Sequence, residues 1–250
     1  MNCVILQPSY IPWRGYFHQI CKADCFIFYD DVQYDTRGWR NRNRIKTPQG
    51  VKWLTIPVYS KGLRTEGTLI KDVRICPDTR WQDKHRRTME LSYSKAPFFG
   101  AYMPLLESFY DARWEFLSEM TIQLSMALAW ELGVRRTRFL RSSTLQVKGN
   151  KTNRLLNLLK TVGATHYITG PSAGSYLEEE KLRDAGISVE YMTYDYLEYA
   201  QLYPPYAGEV SILDLLFMTG PGAMQFMLMP SEQERLGADA TRSAQVTEVR

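Results

Sequence analysis

Histidine is scarce in this 250-residue chain, with only three, and cysteine is limited to four. Cys3, Cys21, Cys25 and Cys76 form no Cys-x-x-Cys pair and match no familiar zinc spacing, so they read as reduced core thiols. No metal site and no cofactor are expected. No Gly-x-Ser-x-Gly elbow or other nucleophile motif occurs, which leaves covalent catalysis without support. A P-loop is also missing: in Lys148-Gly149-Asn150-Lys151-Thr152, Asn150 and the earlier Leu145 stand where glycines are required. What remains is a helix N-terminus carrying Lys151, a weaker anion site. The first residues, Met1 to Leu6, lack a basic leader region and run into Pro8, so a cytoplasmic protein is expected. Ser211 to Met229 is apolar but broken by Asp214 and Gly220-Pro221-Gly222, which reads as a buried helix and a turn rather than a membrane span. A net charge of +4 is too small to demand nucleic acid.

What is abundant is aromatic side chain: 16 tyrosines, 10 phenylalanines and 6 tryptophans. Such groups fill cores and also line pockets for rings and sugars. Apolar runs at Val4–Leu6 and Cys25–Tyr29 flank a helical pattern from Tyr16 to Ala23, a βαβ unit whose ligands bind beyond the carboxyl ends of its strands. Thr47-Pro48-Gln49-Gly50 suits a type I turn and predicts a hairpin from Trp39–Lys46 and Val51–Val58. Residues 81–133 read as a helical insertion, with Gly133 ending the helix from Trp114. Strands are expected at 137–140, 165–169 and 188–192, separated by helices from Lys151 and from Ser175, where Ser175 and Glu178 form a capping box. The expectation is one α/β domain over 1–230, with a Rossmann-like parallel sheet, followed by a polar, mobile tail over 231–250.

Two segments fall at the carboxyl ends of the first strands. Gln7-Pro8-Ser9-Tyr10-Ile11-Pro12-Trp13 is stiffened by its prolines and offers Gln7, Tyr10 and Trp13 as fixed binding groups. Asp30 and Asp31 point to opposite faces if extended, so one meets a ligand while the other ties down the loop. In the hairpin, period-two alternation places Arg40, Arg42 and Arg44 on one face, about 7 Å apart, where they repel unless an anion sits among them. Pairing with Asp30, Asp31 and Asp35 is the competing reading. Of the histidines, His85 in Lys84-His85-Arg86-Arg87 has cationic neighbours that lower its pKa and favour a basic imidazole.

The blocks Gln7-Pro8-x-Tyr10-x-Pro12-Trp13-x-Gly15-Tyr16-Phe17, Asp30-Asp31-Val32-Gln33, Trp39-Arg40-Asn41-Arg42-Asn43-Arg44-Ile45 and Trp53-Leu54-Thr55-x-Pro57-Val58 resemble the WbqC-like proteins. Tyr93-x-x-Ala96-Pro97-Phe98, Gly170-Pro171 and Ser211 to Leu216 extend that resemblance almost to Pro230. It implies a place in surface-polysaccharide or specialised-metabolite assembly, and acyl or aminoacyl transfer to an amino sugar or similar amine fits such a setting. A fainter similarity links the strand-loop-helix-strand opening to nucleotidylyltransferases, but Pro12-Trp13-Arg14-Gly15-Tyr16 lacks both histidines of their signature.

The expected protein is a transferase whose donor carries phosphate or pyrophosphate. The donor is expected at the Arg42 and Arg44 face and the acceptor at Gln7 and Tyr10, with Trp13, Asp30, Gln33, Arg40, Asn43 and Lys151 as further substrate-binding residues and Asp31 or His85 taking the acceptor's proton. An acyl carrier protein is a further candidate partner. Magnesium-dependent nucleotidyl transfer, and a non-catalytic module that binds a carrier protein or nucleic acid, remain as alternatives.

Overall fold

The computed structural model describes residues 1–59, 67–228 and 232. The chain opens with β1 (Asn2–Leu6), α1 (Arg14–Lys22) and β2 (Cys25–Phe28), followed by a hairpin of β3 (Arg42–Thr47) and β4 (Gly50–Thr55). Three helices follow, α2 (Trp81–Tyr93), α3 (Phe99–Asp111) and α4 (Leu117–Glu131). The chain then returns to the sheet through β5 (Arg138–Arg141), α5 (Ser142–Leu145), α6 (Lys151–Val162), β6 (His166–Thr169), α7 (Glu179–Asp184) and β7 (Ser188–Tyr191). The last described helix is α8 (Ile212–Thr219), capped by the Ser211 hydroxyl, which accepts from the Leu213 amide. Among the described residues no helix is long and apolar enough to cross a membrane.

Five strands form one parallel sheet in the order β5-β2-β1-β6-β7. The chain moves outward from β1 in one direction through β2 and β5, then crosses to the other side of β1 for β6 and β7. The switch point therefore lies between β1 and β6, where loops from adjacent strands diverge and leave a crevice. This is the Rossmann-like α/β arrangement that the apolar runs predict. Alternation along the strands divides the interior. Cys3, Ile5, Cys25 and Ile27 pack with Leu155, Leu158, Leu159 and Leu182 of α6 and α7. Val4, Phe26 and Phe28 face a larger core built with α1, the three central helices and α8. A sheet covered on both faces needs continuous apolar strands, which is why β2 reads Cys-Phe-Ile-Phe.

Differences from the sequence reading are local. The hairpin turns at Pro48-Gln49, with Thr47 opposite Gly50, but β3 begins at Arg42 rather than Trp39. The capping box at Ser175 does not form. Pro171 starts a 3-10 turn over Pro171–Ser175, the Ser175 hydroxyl donates to the Ser172 carbonyl, and the helix begins only at Glu179. The expected tail over 231–250 lies outside the described residues apart from Glu232, whose carboxylate accepts from His18 Nε2 and Lys22 Nζ.

Candidate functional site

The loop after β1 is held by the hairpin. The Tyr10 amide donates to the Arg40 carbonyl, and Asn43 Nδ2 donates to the carbonyls of Tyr10 (3.1 Å) and Ile11 (2.8 Å). Ile11 has φ +37°, a left-handed conformation that a β-branched residue adopts only when its surroundings impose it. Thus Asn43 borders a cavity but spends its amide on the loop.

Burial overturns several assignments. Tyr10 is fully buried, its hydroxyl 2.9 Å from His85 Nδ1 and 2.8 Å from the Tyr110 hydroxyl. His85 is itself buried, with the rings of Tyr10, Trp81 and Tyr110 around it. Its pKa is lowered to about 4, and the cause is loss of solvation rather than neighbouring cations. Neither residue lines a described cavity. Asp30 is also fully buried, accepting from Arg141 Nε (2.7 Å), the Ser143 amide (3.0 Å) and the hydroxyls of Ser142 and Ser143. Asp31 pairs with Arg154 and shares the single Ser142 hydroxyl proton with Asp30. Both carboxylates are therefore matched by cations of β5 and α6, not by the hairpin arginines, and Asp31 is poorly placed as a base. Gln33 is exposed and bridges to Leu69 away from the described cavities.

Two cavities lie near the switch point. The larger, about 570 Å³, sits beyond β1 and β6, among Gln7, Tyr29, Arg40, Lys151, Gly170 and Tyr194. The smaller, about 330 Å³, is formed by Ser9, Trp13, Tyr16, Trp39, Arg44 and Glu209, and again by Arg40. The two adjoin where the Trp13 ring meets Tyr194 edge-on at 4.9 Å and the Tyr16 hydroxyl donates to the Gln7 carbonyl. Gly15 is required here, because a Cβ at that position would lie 2.4 Å from the Trp13 ring. Lys151 opens α6 with φ +46°, and Gly149 precedes it at φ +126° with the Arg154 backbone too near for a side chain.

Arg40 is the residue common to both cavities. Its Nε is buried without a hydrogen-bond partner, and the guanidinium makes no ion pair with a described residue. Burial pulls its pKa down, opposed by the fields of Tyr16, Asp35 and Tyr34. Arg44 lies over the Trp39 ring at 5.1 Å and pairs with the largely exposed Glu209 at 2.7 Å. Arg42 turns aside, stacking on Trp53 at 4.8 Å and donating to the carbonyls of Arg37 and Gly38. The expected three-arginine face thus divides, since the chain at Arg40 is not yet strand and the alternation begins only at Arg42. Burial raises the pKa values of Tyr29, Tyr176 and Tyr194, the last to about 12, so these phenols donate hydrogen bonds and do not act as bases near neutrality. Among the described residues neither cavity is lined by imidazole, and Glu209 is the one carboxylate on either wall. The two cavities thus share one desolvated cation, Arg40, and their walls hold a single carboxylate among the described residues.

Residues 7–226 match the WbqC-like protein family. The chain belongs to that family. Uncharacterized protein Rv1507c of Mycobacterium tuberculosis (strain ATCC 25618 / H37Rv) is 41% identical over 228 residues, covering 89% of this chain and 96% of its own length. No solved structure matches the chain. In this WbqC-like protein the matched stretch begins at Gln7 and contains the polar groups of both cavities, from Arg40 to Glu209. Of the residues singled out from the sequence, Arg40, Arg44, Gln7, Trp13 and Lys151 line one or both cavities. Tyr16, Tyr29, Tyr194 and Glu209 join them without a spacing signal, although Tyr16 belongs to the first family block.

Proposed function

We propose that this WbqC-like protein is a transferase of surface-polysaccharide or specialised-metabolite biosynthesis, which holds the phosphate-bearing part of an activated donor at Arg40. The observation that carries this reading is a desolvated guanidinium with an unpartnered Nε, placed at the switch point of a parallel sheet. Desolvating a charge is unfavourable unless an opposite charge compensates it, and phosphate matches the guanidinium fork. Lys151 and the first amides of α6 reinforce the positive field on the larger cavity's side. The acceptor amine approaches at the open rim of the smaller cavity, beside the exposed Glu209. Transfer is direct. The amine forms a bond to the acyl carbon as the bond to the phosphate oxygen breaks, the departing oxygen keeps the electron pair beside Arg40, and the amine proton passes to Glu209. Glu209 replaces Asp31 and His85 in this role because it alone of the three lines a cavity. With an acyl carrier protein as donor, the bond that breaks is the thioester C–S bond, the thiolate keeps the electron pair and the phosphopantetheine phosphodiester lies at Arg40, while the carrier meets the exposed rim at Trp39 and Trp53.

Magnesium-dependent nucleotidyl transfer shares the sheet but is less favoured, because Asp30 and Asp31 are already engaged by Arg141 and Arg154. Calorimetric titration with nucleotides, sugar nucleotides, coenzyme A thioesters and acyl adenylate analogues tests the proposal. At least one phosphate-bearing class should bind, and Arg40→Gln should weaken it at least tenfold while the variant stays folded. Equal affinity in the variant for every compound that binds would refute the assignment.

A further inference from the structure

Arg40 stands between two cavities rather than at the end of one, and each cavity has its own second cation: Lys151 for the larger and Arg44 for the smaller. A cation at a junction suits an anion with an organic group on either side. The volumes fit such a ligand, since about 570 Å³ and about 330 Å³ each hold a ring-sized group. The walls differ as well. The larger cavity presents the tyrosines Tyr29, Tyr176 and Tyr194 beside the amide of Gln7, whereas the smaller presents Trp13 and, under the Arg44 guanidinium, Trp39.

Resting on the reading of Arg40 as the phosphate site, we infer that the ligand's anion is internal. It is a phosphodiester, pyrophosphate or acyl-phosphate linkage that joins two organic groups, one in each cavity. The Arg44–Glu209 pair does not block the second arm. Glu209 is 80% exposed and Arg44 27%, so the pair is open to water and gives way to a ligand at little cost.

The test compares whole ligands with their halves by calorimetry on the full chain. UDP-glucose is set against UDP and glucose 1-phosphate, NAD+ against AMP and nicotinamide mononucleotide, and coenzyme A against adenosine 3′,5′-bisphosphate and 4′-phosphopantetheine. At least one whole ligand should bind tenfold or more tightly than the better of its halves. Lys151→Ala should weaken that ligand and one half, while Arg44→Ala should weaken the ligand and the other half, each by fivefold or more. Circular dichroism and melting temperature establish that both variants fold, and Arg44→Lys serves if Arg44→Ala does not. Halves that bind as tightly as every whole ligand, with binding still lost in Arg40→Gln, would overturn the internal anion and leave the phosphate site standing. Binding of all compounds that does not depend on Arg40 would overturn both.

Discussion

Arg40→Met separates a residue retained for binding from one retained for folding. Methionine preserves much of the aliphatic stem while removing a desolvated cation whose Nε has no partner among the described residues. Replacing buried charge by apolar volume ranges from neutral to stabilising by about 1–4 kcal/mol. Arg40 keeps part of its surface toward the cavities, so the expected gain is about 1–2 kcal/mol, at the lower end of that range. For a chain of this size that corresponds to a melting temperature about 2–8 °C higher. Arginine stays charged across the working pH range, so the gain should not depend on pH. The same substitution should abolish stabilisation by ligand, which in the parent protein amounts to about 2.7 kcal/mol at a hundredfold excess over Kd. Urea unfolding of both proteins, with and without the tightest phosphate-bearing ligand, measures the two effects together. A loss of more than about 1 kcal/mol in the unliganded variant would show that Arg40 contributes to the fold through an internal partner such as Asp35, and the reasoning would fail.

Asp30→Ala should destabilise by about 3–5 kcal/mol, because it strands Arg141 and removes the acceptor of two hydroxyls and an amide; urea midpoints check this, and a change below about 1 kcal/mol would contradict the structural role. His85 has a folded-state pKa of about 4 against an ordinary 6.5, so the unfolded chain takes up the proton first as pH falls. Its contribution is complete above about pH 6.5 and is lost as pH drops through about 4, a change of about 3 kcal/mol that His85→Gln should flatten in unfolding measured from pH 4 to 7. Gly15→Ala should push the Trp13 ring from its place, costing about 1–3 kcal/mol and changing the near-ultraviolet circular dichroism, and an unchanged spectrum with full ligand affinity would argue against Trp13 as a cavity wall.

Much of the fold was legible because its signals are local. A strand covered on both faces must carry a short, unbroken apolar run, and β1 (from Cys3 to Leu6) and β2 carry such runs. The turn at Pro48-Gln49 and the end of α4 before Gly133, at φ +86°, follow from the backbone angles that proline and glycine permit. Where local signals compete, the reading failed: Ser175 and Glu178 have the spacing of a capping box, but Pro171 commits Ser175 to a 3-10 turn first.

The sequence by itself determined which elements exist and that the loop from Gln7 and the arginines of the hairpin gather at one end of the sheet. Only the tertiary structure decided which of those groups line the cavities. Tyr10 and Trp13 lie in one irregular loop, where no period distinguishes inside from outside, and packing against His85 and Tyr110 buries the first while Trp13 lines the cavity. The partners that commit Asp30, Asp31 and Arg44 are Arg141, Arg154 and Glu209, each more than a hundred residues away in the chain. Charge compensation at that separation depends on where the strands and helices dock, and so Arg40 emerged as the cation shared by both cavities only once the fold had assigned its neighbours their partners.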